Sequence, residues 1–204
     1  MEWETYASWS YPGIRYLLTL RSKIPHSEVG PEFRRTLAEA GYPIGNIVAA
    51  EQTHGNKVAV IRDLLTRFCP LVDALVTNLL DLPLVIRVAD CGPIYFYDPV
   101  KRVIALAHSG KKGTQLNILQ RTIETMQTEY GSEPKDISVL LGPCIRPPHY
   151  EIDFAAEIAH QASAIGVVNF TDTGICTASN VERYYSYRTE KGQTGRMWAV
   201  LMLE

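Results

Sequence analysis

Apolar and polar positions alternate along this chain in short runs, and most runs read as strands. Val72 to Thr77 and Leu84 to Val88 are β-branched and apolar, which predicts buried strands. Ile94 to Tyr97 and Val103 to Ala107 predict a hairpin around Asp98-Pro99-Val100-Lys101. Ile47 to Ala50, Lys57 to Ile61 and Ile137 to Leu141 add three more strands, with a turn at His54-Gly55-Asn56. Pro31 to Gly41 reads as a helix, opened by proline, with Phe33, Leu37 and Ala40 on one face. The strongest helical period follows Thr114, a candidate N-cap. Leu116, Leu119, Ile123, Met126 and Tyr130 share one face there, and Gly131 stops it. Phe154 to Ile165 predicts another helix. Arg183 to Tyr187 and Met197 to Leu203 predict a closing pair of strands.

Hairpins mixed with single helices predict an α+β fold, a mixed α/β sandwich rather than a doubly wound Rossmann sheet. Neither GxGxxG nor GxxxxGK[ST] is present. With 204 residues, 46% of them hydrophobic, the chain is expected to form a single domain spanning 1–204. The net charge is −2 and no basic run occurs, so nucleic acid is not an expected partner. No apolar run approaches the roughly 20 residues that span a bilayer, so no membrane is expected. The acidic, aromatic start Met1-Glu2-Trp3-Glu4 is unlike a signal peptide, and the expected location is cytoplasmic.

Three segments each place a reactive side chain where an apolar strand ends: Gln52-Thr53-His54-Gly55, Ala89-Asp90-Cys91-Gly92-Pro93 and Ala107-His108-Ser109-Gly110. Two imidazoles and a thiolate converging at strand ends would hold a zinc ion with an open coordination position. The same residues also allow a metal-free pair, Cys91 as nucleophile and His108 as base. Asp90 is a candidate acid/base, or a turn-former before Gly-Pro. Lys111 and Lys112 follow His108 at the start of the strong helix, which suits an anion such as phosphate. A solvated loop is the plainer reading of that segment. Arg188 and Arg196, with Tyr184, Tyr185 and Tyr187, could bring guanidinium groups and aromatic faces to a flat substrate, or be ordinary strand residues. His26 and His160 have no supporting context. Cys69, Cys91, Cys144 and Cys176 form no CxxC pair and are expected to be free thiols.

Taken in order, these segments resemble the YfiH-type family, also called laccase-domain, multicopper polyphenol oxidoreductase-like or peptidoglycan-editing-factor proteins. Gln52-Thr53-His54-Gly55 is similar to the family's QxHG, Asp73-Ala74-Leu75-Val76-Thr77 to DALVT, and Ala89 to Ile94 to ADCxPI. His108 to Thr114 stands where the family has HAGWRGT. Gly142-Pro143-Cys144-Ile145 with Tyr150-Glu151-Ile152 is similar to GPxIG…YEV. Cys176-Thr177, Ser186-Tyr187-Arg188 and Thr194-Gly195-Arg196-Met197 match CT…SYR…TGRM.

The resemblance implies that His54, Cys91 and His108 are metal ligands, usually for zinc, with copper the less expected ion. It implies a sandwich related to the cytotoxic necrotizing factor deamidases. It also implies phosphorolysis of adenosine, inosine and methylthioadenosine, and deamination of adenosine, so that a purine nucleoside and phosphate are the expected partners of a monomer or homodimer. Phenol oxidation by several coppers is not expected of a chain with five histidines. A metal-free Cys–His amidase or peptidoglycan-precursor editing hydrolase is one alternative, and a non-catalytic zinc-binding member another. Lys111 and Lys112 replace the family's Trp-Arg pair. Lysine keeps the charge but not the planar fork that grips phosphate. The stretch from Glu151 to Cys176 and the N-terminal glycine-rich loop are also shorter than the family's.

Overall fold

Residues 1–23 and 29–204 are described by a computed structural model of the chain. In chain order the elements are β1 (Trp3–Glu4), β2 (Ile14–Thr19), α1 (Val29–Glu39), β3 (Val48–Ala50), β4 (Val58–Val60), β5 (Phe68–Cys69), β6 (Ala74–Thr77) and β7 (Leu84–Val88). They continue with β8 (Gly92–Asp98), β9 (Val103–Ser109), α2 (Lys111–Gln115), α3 (Ile118–Tyr130), β10 (Ser138–Leu141), α4 (Phe154–Ala164), β11 (Asn169–Asp172) and β12 (Met197–Leu203).

Two mixed sheets result, in the orders β1-β2-β12-β7-β3-β5 and β11-β10-β8-β9-β6-β4. Alternation within single strands shows how they stack. On β12, Met197, Ala199, Leu201 and Leu203 enter the core between the sheets, with Leu84 and Ile86 of β7 and Leu106 of β9. Val200 and Met202, on the opposite face, meet Phe33 and Leu37 of α1. On β8, Tyr95 joins the inter-sheet core, while Ile94 and Phe96 join the cluster that holds Ile118, Leu119, Ile123 and Met126 of α3 and Phe154 and Ile158 of α4. The layers therefore run helix, sheet, sheet, helix, as expected for a mixed α/β sandwich. Both faces of the central strands are largely covered, so these strands read as near-continuous apolar runs, broken in β7 by exposed Arg87. Each fully buried Leu or Ile contributes roughly 1.5–3 kcal/mol through burial.

Several expectations need correction. Thr114 is not an N-cap: the helical segment opens at Lys111, right after Gly110, and Thr114 lies inside α2 with Oγ1 2.9 Å from Ser109 Oγ. Asn117, in the left-handed region at φ 58°, separates α2 from α3, which ends at left-handed Gly131 as expected. Arg183 to Tyr187 is not a strand. It runs through turns, because both edges of β12 are already paired, with β2 and β7. Strands β1, β2, β5 and β11 carry no strong alternation and were not expected. His160 lies exposed on α4, while His26 lies outside the described residues. No helix among the described residues is long and apolar enough to cross a membrane.

Candidate metal centre and cleft

The two sheets meet at a point where three side chains converge. His54 sits in the loop after β3, Cys91 in the link from β7 to β8, and His108 near the end of β9. Their ligand atoms all lie within 4.8 Å of one another. Donors bonded to one zinc at about 2.0–2.3 Å stand roughly 3.3–3.7 Å apart in a tetrahedron. The cluster therefore closes on an ion through a side-chain shift of about an ångström, and its soft N,N,S donor set suits zinc. The imidazoles of His54 and His108 meet edge to face, 4.8 Å between centroids. Small neighbours keep the space open. A Cβ on Gly110 would run into Cys91 Sγ, and one on Gly92 would come within 2.7 Å of Leu141 Cδ1.

One buried carboxylate positions two of the three ligands. Asp73, at the head of β6 and fully buried, accepts from Thr53 N (3.0 Å) and Gly55 N (2.7 Å) on Oδ2, and from His54 N (2.9 Å) on Oδ1. The same Oδ1 lies 2.9 Å from His108 Nδ1. Asp73 thus holds the Gln52-to-Gly55 loop, where Gln52 (φ 67°) and His54 (φ 59°) adopt left-handed backbone. It also makes Nδ1 of His108 the protonated nitrogen and turns Nε2 toward Cys91 as the free donor atom. Burial opposes its charge, but the bonds from His108 and the loop amides outweigh that and lower the Asp73 carboxyl to about 2.

Burial likewise opposes a charged Cys91. The His108 imidazolium beside it, with hydrogen bonds from His108 and His54, overcomes burial and holds the thiol below its ordinary range. His108 moves the other way: burial lowers it, while the Cys91 thiolate and Asp73 raise it further. The two opposite shifts favour a thiolate beside an imidazolium, the charge state of a primed nucleophile and also of a ligand awaiting an ion.

This cluster lies in a cleft of about 990 Å³. His54, Asp90, Cys91, His108, Lys111, Lys112, Arg188 and Arg196 all line it, as do Tyr185 and Tyr187, whereas Tyr184 is buried in the inter-sheet core instead. Asp90, at φ 79°, is tied on both oxygens, accepting from Thr177 Oγ1 (2.7 Å) and from Arg188 N (2.7 Å). Arg188 lies over Tyr150, 4.6 Å from its centroid, and pairs with Glu151 at 3.0 Å. Arg196 lies 5.5 Å from the Tyr187 centroid and, among the described residues, donates only to the carbonyls of Thr194 and Gly195. Among the described residues, Lys111, Lys112 and Arg196 pair with no carboxylate.

Sequence reasoning missed Asp73, Arg87 and Thr177 as parts of the site. A charged residue opening an otherwise apolar strand, as in Asp73-Ala74-Leu75-Val76, was the available signal for the first. Arg87 lines the cleft beside Trp198, and Gln52 brackets its backbone through Arg87 N to Gln52 Oε1 (2.8 Å) and Gln52 Nε2 to Arg87 O (2.7 Å). Nothing in the sequence pairs positions so far apart.

Comparison with known proteins gives the family and the fold. A family model described as "Multi-copper polyphenol oxidoreductase laccase" matches residues 25–163 and 149–204. A purine nucleoside phosphorylase of Deinococcus radiodurans is 35% identical over 83% of this chain and 75% of its own length. The purine nucleoside phosphorylase YlmD of Bacillus subtilis is 28% identical over 76% of this chain and 69% of its own. Among solved structures, YlmD from Geobacillus stearothermophilus superposes with a TM-score of 0.88 at 25% identity, covering 100% of this chain and 97% of that one. Neisseria meningitidis NMB0706 shares the fold, with a TM-score of 0.85 at 22% identity and full coverage of both chains.

Proposed function

The chain belongs to the multi-copper polyphenol oxidoreductase laccase family, and from that premise we propose that it is a zinc-dependent purine nucleoside phosphorylase that also deaminates adenosine. One observation carries the reading: the His54, Cys91 and His108 ligand atoms cluster within 4.8 Å in a cleft that also holds Lys111 and Lys112, which pair with no carboxylate among the described residues. Those three residues would hold the ion. When bound, zinc supplies Lewis-acid stabilisation of negative charge that develops on the substrate. Among the described residues this is the only group of ligands able to hold a metal, whereas a multicopper oxidase needs several such groups.

The chain's own residues supply the rest. Asp73 holds the proton on His108 Nδ1, which keeps Nε2 aimed at the cleft through turnover. Lys111 and Lys112 sit one and two residues beyond the glycine that borders Cys91. With no carboxylate among the described residues to displace, they bind inorganic phosphate as point charges next to the reacting centre. Tyr150, with Arg188 fixed over it, and Tyr187, with Arg196, offer flat faces for a purine. Asp90, with both oxygens engaged, serves to set the backbone that presents Cys91 and to anchor the Arg188 strand of turns.

A second reading is favoured by the thiolate–imidazolium state of Cys91 and His108: a metal-free amidase with Cys91 as nucleophile. Two measurements on tag-free protein decide between them. About one zinc per chain, with phosphate-dependent release of free base from adenosine, inosine or methylthioadenosine, supports the first. Metal-free protein whose activity is abolished by alkylating Cys91 supports the second. Zinc-loaded protein inert toward every nucleoside, with and without phosphate, refutes both.

A further inference from the structure

Outside the metal cluster, two further cysteines are paired across neighbouring strand ends. Cys144 follows β10 and Cys176 follows β11, and the two residues form an isolated parallel bridge. It is framed by Cys144 N to Ile175 O (3.2 Å) and Thr177 N to Cys144 O (3.2 Å). Residues opposed across parallel strands lie about 4.8 Å apart at Cα, inside the roughly 4.4–6.8 Å window of disulfide-linked cysteines. Both side chains pack into the same apolar cluster under the helices, so their Cβ atoms point to the same side. Both thiols are free.

They differ in access. Cys144 is fully buried, and burial pushes its thiol up to about 12. Cys176 is half-buried, and its Sγ lies 3.7 Å from Nδ1 of exposed His149, a base placed to take its proton. A low-molecular-weight oxidant would therefore meet Cys176 first.

The geometry points to a peroxide-responsive modification site, with Cys176 the thiol that is oxidised and Cys144 the thiol that resolves it as a disulfide. The steps balance with hydrogen peroxide as the oxidant. Cys176 Sγ, its proton passed to His149, attacks one peroxide oxygen. The O–O bond breaks, sulfenic acid forms on Cys176, and the departing hydroxide recovers the proton as water. Cys144 Sγ then attacks the sulfenic sulfur, the S–O bond breaks, and that hydroxide leaves as water with the Cys144 proton. Two thiols are oxidised, one peroxide is reduced and two waters form.

The position gives the bond a reach beyond itself. Ile145 N donates to Asp90 O at 2.8 Å, and Thr177 Oγ1 donates to Asp90 Oδ1 at 2.7 Å. Each cysteine thus immediately precedes a residue that holds Asp90, the neighbour of Cys91. This inference does not depend on the nucleoside reading.

The test treats the full chain, as purified, with hydrogen peroxide in modest molar excess at neutral pH, followed by peptide mass spectrometry. We expect a Cys144–Cys176 linked peptide lacking two hydrogens, restored to thiols by dithiothreitol. In Cys144→Ser the expected product is a sulfenic acid on Cys176 that dimedone traps. Cys176→Ser should give no link, and His149→Ala should slow Cys176 oxidation several-fold without changing the melting temperature. The inference is overturned if Cys176 stays reduced after buried Cys69 has been oxidised; Cys91, whose thiol His108 holds low, is expected to react and decides nothing. It is equally overturned if Cys176 sulfenic acid accumulates in the unmutated chain without ever forming the linked peptide.

Discussion

Replacing Asp73 by asparagine tests the site most directly, because the side chains are nearly isosteric and only charge and one acceptor change. Oδ2 receives donors from Thr53 N, Thr53 Oγ1 and Gly55 N, and Oδ1 from His54 N and His108 Nδ1. The amide nitrogen displaces fewer donors on the Oδ1 side, where it faces His54 N and His108 Nδ1. To avoid that clash His108 must expose Nδ1 as an acceptor, which moves its proton to Nε2 and blocks the nitrogen that would bind metal. Losing a carboxylate partner behind a metal-binding histidine typically weakens metal by about 10- to 100-fold, or about 1.4–2.7 kcal/mol. The bond to His108 re-forms with its direction reversed, but the one from His54 N is lost, at roughly 1.5–3 kcal/mol for a hydrogen bond to a buried charge, and folding stability falls by about that much. Zinc affinity by chelator competition reads the first effect, and urea unfolding of metal-free protein reads the second. A variant that folds and keeps zinc affinity within about threefold of the unmutated chain, against this expectation, would refute the orienting role of Asp73.

His54→Ala and Cys91→Ala should each abolish nucleoside turnover together with bound metal, and metal analysis showing full occupancy in either would remove that residue from the ligand set. Gly110→Ala should displace Cys91 Sγ and lower metal occupancy while far-ultraviolet circular dichroism stays unchanged; undiminished occupancy would contradict the packing at Gly110. Lys112→Arg should raise phosphorolysis more than deamination, because a planar fork holds phosphate better; equal changes in both rates would argue against a phosphate role. In chelator-treated protein the Cys91 thiol is held low by His108, so it stays a thiolate, and stays reactive, as pH falls below the ordinary thiol range. Iodoacetamide labelling in His108→Gln should then fade as pH drops from about 9 toward neutrality, as for an ordinary thiol, whereas labelling of the unmutated chain should persist; matching profiles would refute the pairing.

The strongest parts of the fold were legible because both faces of their strands are buried. Val103 to Ala107 reads as a strand from apolar continuity alone, and Leu84 to Val88 does so despite exposed Arg87. Met197 to Leu203 did too, but its partner was misread, since Tyr184 and Tyr185 are buried in turns and their aromatic run mimics a strand. The short strands Trp3–Glu4 and Phe68–Cys69 lie at sheet edges, where pairing rather than side-chain pattern defines them. The three candidate ligands were legible as residue types beside glycines, yet their convergence was not, because it comes from the stacking of two sheets. Asp73 stayed hidden for a related reason: its partners lie 18–20 residues back and 35 residues ahead, and only β6 lying between β4 and β9 brings them together.

The candidate ligands come from both halves of the sandwich: His54 follows a strand of one sheet, His108 belongs to the other, and Cys91 sits on the crossing between them. A captured ion would therefore act as a clasp across the seam, and its grip would share one free energy with the closure of the two layers. Loosening the interior far from the cleft, for instance by Leu84→Ala at about 2–5 kcal/mol, should hasten ion escape even though no coordinating atom has changed.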